Sequence, residues 1–122
     1  MNDLESVKNL IIQTVKEKTG DFDGDGLEAD YKLNWKDELS EMLEFVLFNM
    51  SKAASARERG DDVMLQAALM HSCIHLMNLS GFFRDIRDDL EALLLGPGWP
   101  EIPDGFSYGN TKRGLLKGDG FI

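Results

Sequence analysis

The sequence predicts an all-α fold, a small helical bundle built on a long antiparallel helical hairpin with an irregular C-terminal arm. Apolar residues recur at helical spacing in three long segments. Only Gly60 and Asp61 separate the second segment from the third, and so short a connection favours an antiparallel hairpin. All three prolines and seven of the 12 glycines lie after residue 95, where the spacing stops. We therefore assign residues 1–95 to a helical domain and residues 96–122 to a Gly/Pro-rich arm that packs on the bundle or on a neighbouring subunit.

The first helix is predicted over about residues 3–18. Asn2 is expected to cap it, because Glu5 follows three residues later in a capping-box arrangement. The apolar stripe of this helix comprises Leu4, Val7, Leu10, Ile11 and Val15. The Gly- and Asp-rich segment after residue 18 ends it.

The second helix is predicted over residues 35–59, with Asn34 as its N-cap and Gly60 as its end. Most of its apolar residues form one stripe, but Phe45 and Phe48 fall outside that stripe. Two interpretations of these phenylalanines stand equal: another helix of the same chain covers them, or they form an interface patch.

The third helix is predicted over residues 61–95, with a kink near residues 80–81, where Ser precedes Gly. Residues 63–79 are apolar nearly all round the helix, which is typical of a helix in the centre of a bundle or of an oligomer. Because only two other helices are available to cover it, the sequence favours a homo-oligomer, most simply a dimer.

The charge balance excludes several classes of function. The net charge is −9 and the longest basic run is Lys112-Arg113, so direct binding to nucleic acid or to an anionic membrane surface is not expected. The single cysteine, Cys73, lies in an apolar run, and the first residues show no secretory signal pattern. We therefore expect a cytoplasmic protein.

The run Asp-Phe-Asp-Gly-Asp-Gly at residues 21–26 resembles the start of an EF-hand or dockerin-type calcium loop. The resemblance implies three calcium ligands, Asp21, Asp23 and Asp25. It ends there, because Lys32 stands where such a loop carries a bidentate acid, and Glu28 or Asp30 would have to replace it. The other interpretation is an acidic, Gly-rich turn between two helices. We expect no cofactor, with calcium in this loop as the alternative.

Two histidines form a second candidate site. His71 and His75 lie four residues apart on one helical face, the spacing that lets two imidazoles reach one metal ion. Glu41 and Glu44 on the neighbouring helix would add carboxylates, as in di-metal helical bundles. Alternatively, the histidines form a polar seam, or they bind a small ligand between subunits together with Arg84.

A third pattern involves acids on both long helices. Glu38, Glu41 and Glu44 on the second helix, with Asp85 and Asp88 on the third, resemble the paired acids of the all-helical MazG-type nucleotide pyrophosphohydrolases. That resemblance implies magnesium and a nucleotide substrate. The same spacing is also typical of a solvated helix face.

The sequence shows no nucleophile elbow and no Gly-rich phosphate loop, so no catalytic residue is assigned. We expect a non-enzymatic acidic interaction protein that binds a basic surface of a partner, for example a phage-type inhibitor whose carboxylates replace phosphates in a nucleic-acid-binding groove, or that sequesters a small ligand as an oligomer. The alternatives are a metal-dependent helical enzyme and an assembly subunit with a calcium-stabilised loop. The predicted partner-binding residues are Phe45, Phe48, Asp85, Asp88 and Asp89, with the acids of residues 21–30 as a second acidic surface.

Overall fold

The computed structural model describes residues 2–109. It contains three α-helices, α1 (Leu4–Thr19), α2 (Trp35–Arg59) and α3 (Asp62–Leu95), and a short 3-10 turn, Gly24–Gly26. Within the described residues there is no strand, and α2 and α3 pack against each other. The predicted all-α fold with an antiparallel helical hairpin is confirmed.

Short side-chain signals set the ends of the two long helices. The Asn34 carboxamide accepts a hydrogen bond from the Asp37 backbone N–H at 2.9 Å and begins α2. Gly60 ends it with a φ of 71°, a left-handed conformation that favours glycine. Asp61 then caps α3 by accepting a hydrogen bond from Met64 N at 3.0 Å. These three predicted ends are confirmed.

The start of α1 differs from the expectation. Asp3, not Asn2, is the N-cap, and its carboxylate accepts a hydrogen bond from Ser6 N at 2.8 Å. The predicted capping box is not formed, because Glu5 turns towards α2 and accepts a hydrogen bond from Trp35 N at 2.8 Å. Glu5 thus connects α1 to the start of α2 and takes no part in capping α1.

The third helix is 34 residues long and continues without interruption through Ser80 and Gly81. A break at this pair is therefore not observed, and a bend within the continuous helix stays a prediction. Among the described residues, no helix combines the length and the apolarity needed to cross a bilayer.

The core lies at the base of the hairpin, where α2 begins and α3 ends. One residue from each helix and one from the segment before α2 meet there: Ile11, Ala29, Trp35 and Ile86. Further along the hairpin the buried residues are mostly small, which lets the two helices approach closely; they are Asn49, Ala53, Ala56, Ala68 and Ser72. The first helix thus covers the base, and α2 and α3 continue beyond it.

The described part of the arm, residues 96–109, has no regular secondary structure, and its first residues pack on the same chain. Trp99 donates a hydrogen bond from its indole N–H to Leu93 O at 2.9 Å. The Lys18 ammonium lies 4.3 Å from the centroid of the Trp99 ring and bonds Gly98 O at 2.8 Å. The remainder of the predicted arm, residues 110–122, lies outside the described residues.

Candidate functional site

The segment between α1 and α2, residues 20–34, carries five acidic residues, and we call it the acidic loop. Its five carboxylates are all exposed: Asp21, Asp23, Asp25, Glu28 and Asp30. Four of them line an open cleft of about 540 Å³ together with Phe22, Tyr31 and Lys32. No ion pair among residues 2–109 involves any of the five carboxylates.

The acidic loop is fastened to α3 by Asp89, whose residue surface is only 2% exposed. One carboxylate oxygen accepts a hydrogen bond from Glu28 N at 2.7 Å. The other accepts bonds from Ala29 N at 2.9 Å and from the Tyr31 hydroxyl at 2.8 Å. Hydrogen bonds to an ionised acceptor are stronger than neutral ones, so this contact holds the loop in one conformation.

Aromatic packing supports the same conformation. The Tyr31 ring lies between Phe22, at a centroid distance of 5.0 Å, and Trp35, at 5.1 Å. The Trp35 indole N–H donates to Asp30 O at 2.9 Å. Gly24 lies so close to Phe22 that an added Cβ would come within 3.1 Å of the ring. The cleft therefore has an ordered aromatic side.

Two loop aspartates also shape the backbone locally. Asp23 accepts a hydrogen bond from Asp25 N at 3.0 Å, and Asp30 accepts one from Lys32 N at 2.9 Å. Such bonds from a side chain to the backbone two residues later stabilise turns. Asp23 and Asp30 thus each use one carboxylate oxygen as a hydrogen-bond acceptor within the loop.

The C-terminal end of the acidic loop is anchored by Lys8 of α1, which is buried. The Lys8 ammonium bonds Leu33 O at 2.8 Å and pairs with Glu5 at 2.6 Å. The Lys8 ammonium and the Trp35 backbone N–H keep the pKa of Glu5 below its usual range. The second half of the loop is therefore tied to two helices, to α3 through Asp89 and to α1 through Lys8.

Alkaline pH is expected to weaken this arrangement. Burial, and then the neighbouring Asp89 carboxylate, raise the pKa of Tyr31 well above its usual value. The neutral hydroxyl therefore stabilises the fold fully below the unfolded pKa of about 10. Above it, stability falls by up to about 1.4 kcal/mol per pH unit as the unfolded chain ionises first.

Urea unfolding of wild type and Tyr31→Phe between about pH 8 and pH 11 measures this effect, because Tyr31→Phe removes the titrating group. The exposed Tyr108 provides the control variant Tyr108→Phe, which is expected to follow wild type. Equal slopes for wild type and Tyr31→Phe above pH 10 would contradict the prediction.

The structure corrects the acidic surface predicted on α3. Asp89 is buried against the acidic loop and presents no charge to solvent. Asp85 and Asp88 are about one third exposed, and each pairs with the preceding arginine. The distances are 3.6 Å from Arg84 to Asp85 and 2.7 Å from Arg87 to Asp88. The acidic loop is therefore the stronger acidic surface.

The predicted aromatic and histidine sites are only partly brought together. Phe45 stacks on His75 at a centroid distance of 5.0 Å, while Phe48 is 61% exposed. His71 lies one turn before His75 and is also exposed. Arg84 lies about 13 Å further along α3 and on the opposite side of that helix. The predicted group of His71, His75 and Arg84 is not assembled within one chain.

None of the three predicted metal sites is assembled by the described side chains. Among residues 2–109, no three His, Cys, Asp or Glu side chains form a group that could hold a metal ion. This covers the calcium loop and the two histidines with their neighbouring glutamates. It also covers the acids of the MazG-like pattern, Glu38, Glu41, Glu44, Asp85 and Asp88. Calcium binding and metal-dependent catalysis stay predictions from the sequence.

Tyr31 and Trp35 were not predicted as site residues. The signal that could have identified them is the spacing of three aromatic residues, Phe22, Tyr31 and Trp35, through a strongly acidic segment. Solvated acidic turns are usually poor in aromatic residues, so such a combination indicates an ordered loop.

Comparison of the chain with protein-family models, with curated proteins and with solved structures finds no match. Its function is therefore inferred from its own residues.

Proposed function

We propose that this protein is a non-enzymatic interaction protein whose acidic loop binds a basic surface of a partner protein. The observation that carries the proposal is the fixed presentation of five exposed carboxylates on a loop that Asp89 and Lys8 tie to the helices. Because the loop is already ordered, little conformational entropy is lost when a partner binds.

The cleft favours arginine over lysine on the partner. Its carboxylates match a guanidinium through bidentate hydrogen bonds, and the aromatic side formed by Phe22 and Tyr31 offers ring faces for stacking. The compact ammonium of a lysine would interact with the cleft mainly through its charge. The net charge of −9 also increases the rate of encounter with a basic surface. A surface that normally binds phosphates is rich in arginine, so this chemistry suits an inhibitor of a nucleic-acid-binding protein.

Removal of three loop charges is expected to weaken binding to a fluorescent octa-arginine peptide at least about tenfold, at about 0.5 kcal/mol per exposed charge. The loop variant carries Asp21→Asn, Asp25→Asn and Glu28→Gln, and it keeps Asp23 and Asp30, which stabilise the turns. Fluorescence anisotropy at about 50 and 300 mM salt measures the affinity and its screening.

The matched control variant removes three exposed charges from α2, with Glu41→Gln, Glu44→Gln and Glu58→Gln. It is expected to bind within about twofold of wild type. Octa-lysine is expected to bind wild type about two- to fivefold more weakly than octa-arginine. Phe22→Leu should reduce that difference, because it removes one of the two rings on which a guanidinium stacks. Equal losses in the loop and control variants would show that binding follows net charge alone and would overturn the proposal.

A further inference from the structure

The hairpin has an apolar face that nothing in the described chain covers. On α2, Val46, Asn49 and Ala53 are buried against α3. The residues one position later in each turn form a neighbouring stripe, because one residue rotates by 100° around the helix. The large members of that stripe are 40%, 64% and 41% exposed; they are Leu43, Leu47 and Met50.

A seven-residue repeat runs along α3, with residues spaced alternately by four and three. Its members are Leu65, Leu69, Ser72, Leu76, Leu79, Phe83, Ile86, Leu90 and Leu93. Such a repeat is typical of helices that pack in coiled coils and four-helix bundles. Alternate members are buried or half-buried within the chain, as Ser72 and Ile86 are. The others are 44%, 42%, 44% and 38% exposed; they are Leu69, Leu76, Phe83 and Leu90. Only half of the repeat is used within one chain.

The two exposed stripes lie on the same side of the hairpin. On each helix the exposed stripe is displaced, in the direction of increasing residue number, from the residues that contact the other helix. Because the two helices are antiparallel, these two displacements bring the stripes to the same face of the hairpin. This face is opposite to α1 and the acidic loop. Phe82 packs on the core and Asp89 bonds the loop, whereas Phe83 and Leu90, one residue later, are exposed. We call the surface of Leu43, Leu47, Met50, Leu69, Leu76 and Phe83 the open face.

The composition of the open face is that of an interface centre. No charged side chain lies among the stripe positions of residues 43–54 or 69–83, although the net charge of the chain is −9. Charged residues flank the stripes at both ends, with Lys36 and Arg87 at the base and Glu58 and Asp62 near the tip. An apolar centre with a charged rim is the usual anatomy of a protein interface.

We infer that the open face is covered by the same face of a second copy of this chain, so that two hairpins form a four-helix bundle about a two-fold axis. An uncharged face is self-complementary, and it is the surface on which two copies of so acidic a chain meet without charge repulsion. The second copy also supplies the packing partner that the exposed half of the repeat lacks. Both acidic loops then lie on the outside of the dimer.

Two pairs of adjacent residues test the inference. Leu47 and Phe48 on α2 are 64% and 61% exposed, but only Leu47 lies on the open face. Leu76 and Met77 on α3 are 42% and 71% exposed, and only Leu76 lies there. Light scattering after size exclusion is expected to give a mass of two chains for wild type, Phe48→Glu and Met77→Glu. Leu47→Glu and Leu76→Glu are expected to give the 13.7 kDa of one chain. Circular dichroism checks that each variant keeps its helices, as expected for exposed positions.

Other outcomes overturn the inference. A wild-type mass other than two chains at about 50 µM, where obligate dimers remain associated, would do so. A dimer that persists in the Leu47→Glu and Leu76→Glu double variant would contradict it as well. Dissociation by Phe48→Glu or Met77→Glu would place the interface on another side of the hairpin.

Discussion

Replacement of Trp35 by alanine is expected to lower the free energy of unfolding by about 3–5 kcal/mol. The Trp35 side chain is fully buried, and its ring contacts residues from α1, the acidic loop and α3. The ring lies 5.1 Å from Tyr31 and 6.2 Å from Phe82 between centroids. The substitution therefore leaves a cavity where α1, the acidic loop, α2 and α3 meet. The backbone carbonyl of Asp30 also loses the indole N–H that donates to it.

Urea unfolding followed by circular dichroism, at one fixed protein concentration, measures this loss. Trp99 is 40% exposed, and Trp99→Ala is expected to cost only about 1 kcal/mol. Trp35→Phe keeps most of the apolar contact and is expected to fall between the two. A loss below about 1 kcal/mol for Trp35→Ala would contradict the position of this residue in the core.

Replacement of Asp89 by alanine is expected to lower the free energy of unfolding by about 3 kcal/mol, because three donors lose a charged acceptor. Two of these donors are the backbone N–H groups of Glu28 and Ala29, and the third is the Tyr31 hydroxyl. The same substitution is expected to weaken octa-arginine binding severalfold, although it alters no carboxylate of the acidic loop, because a mobile loop must be ordered again on binding.

Asp88→Ala is the matched control on the adjacent position. Asp88 is about one third exposed and pairs with Arg87 on the same helix, so its loss is expected to cost less than about 0.5 kcal/mol. Hydrogen exchange locates the effect: the amides of Glu28 and Ala29 should lose protection in Asp89→Ala and keep it in Asp88→Ala. Unchanged protection in Asp89→Ala would show that the loop does not depend on this carboxylate.

The features that the sequence predicted correctly depend on residues close together in the chain. Asn34 caps a helix that begins at the next residue, and Gly60 and Asp61 end one helix and begin another. Their effects need only the adjacent backbone, so their identity is a sufficient signal. The choice between Asn2 and Asp3 was not predictable in this way, because both residue types are favourable N-caps. The bond between Glu5 and Trp35, which replaces the predicted capping box, joins residues 30 positions apart.

The candidate site was predictable only in part for the same reason. The acids of residues 21–30 were identified from composition. Asp85, Asp88 and Asp89 share the spacing of a solvated helix face, and nothing local distinguishes Asp89, which bonds a segment 60 and 61 positions earlier. The sequence likewise does not show which half of the repeat on α3 is exposed, because all of its members but Ser72 are apolar.

The contact between Asp89 and the acidic loop has a consequence for the order of folding. The contacts between α2 and α3 spread outward from the turn at Gly60, so many of them close short stretches of chain. The Asp89 contact closes a stretch of about 60 residues, which costs more chain entropy. We therefore expect the hairpin to form early and the loop to dock late, in a step that can reverse by local opening. In that order of folding, only a chain with a complete helical framework presents the acidic surface.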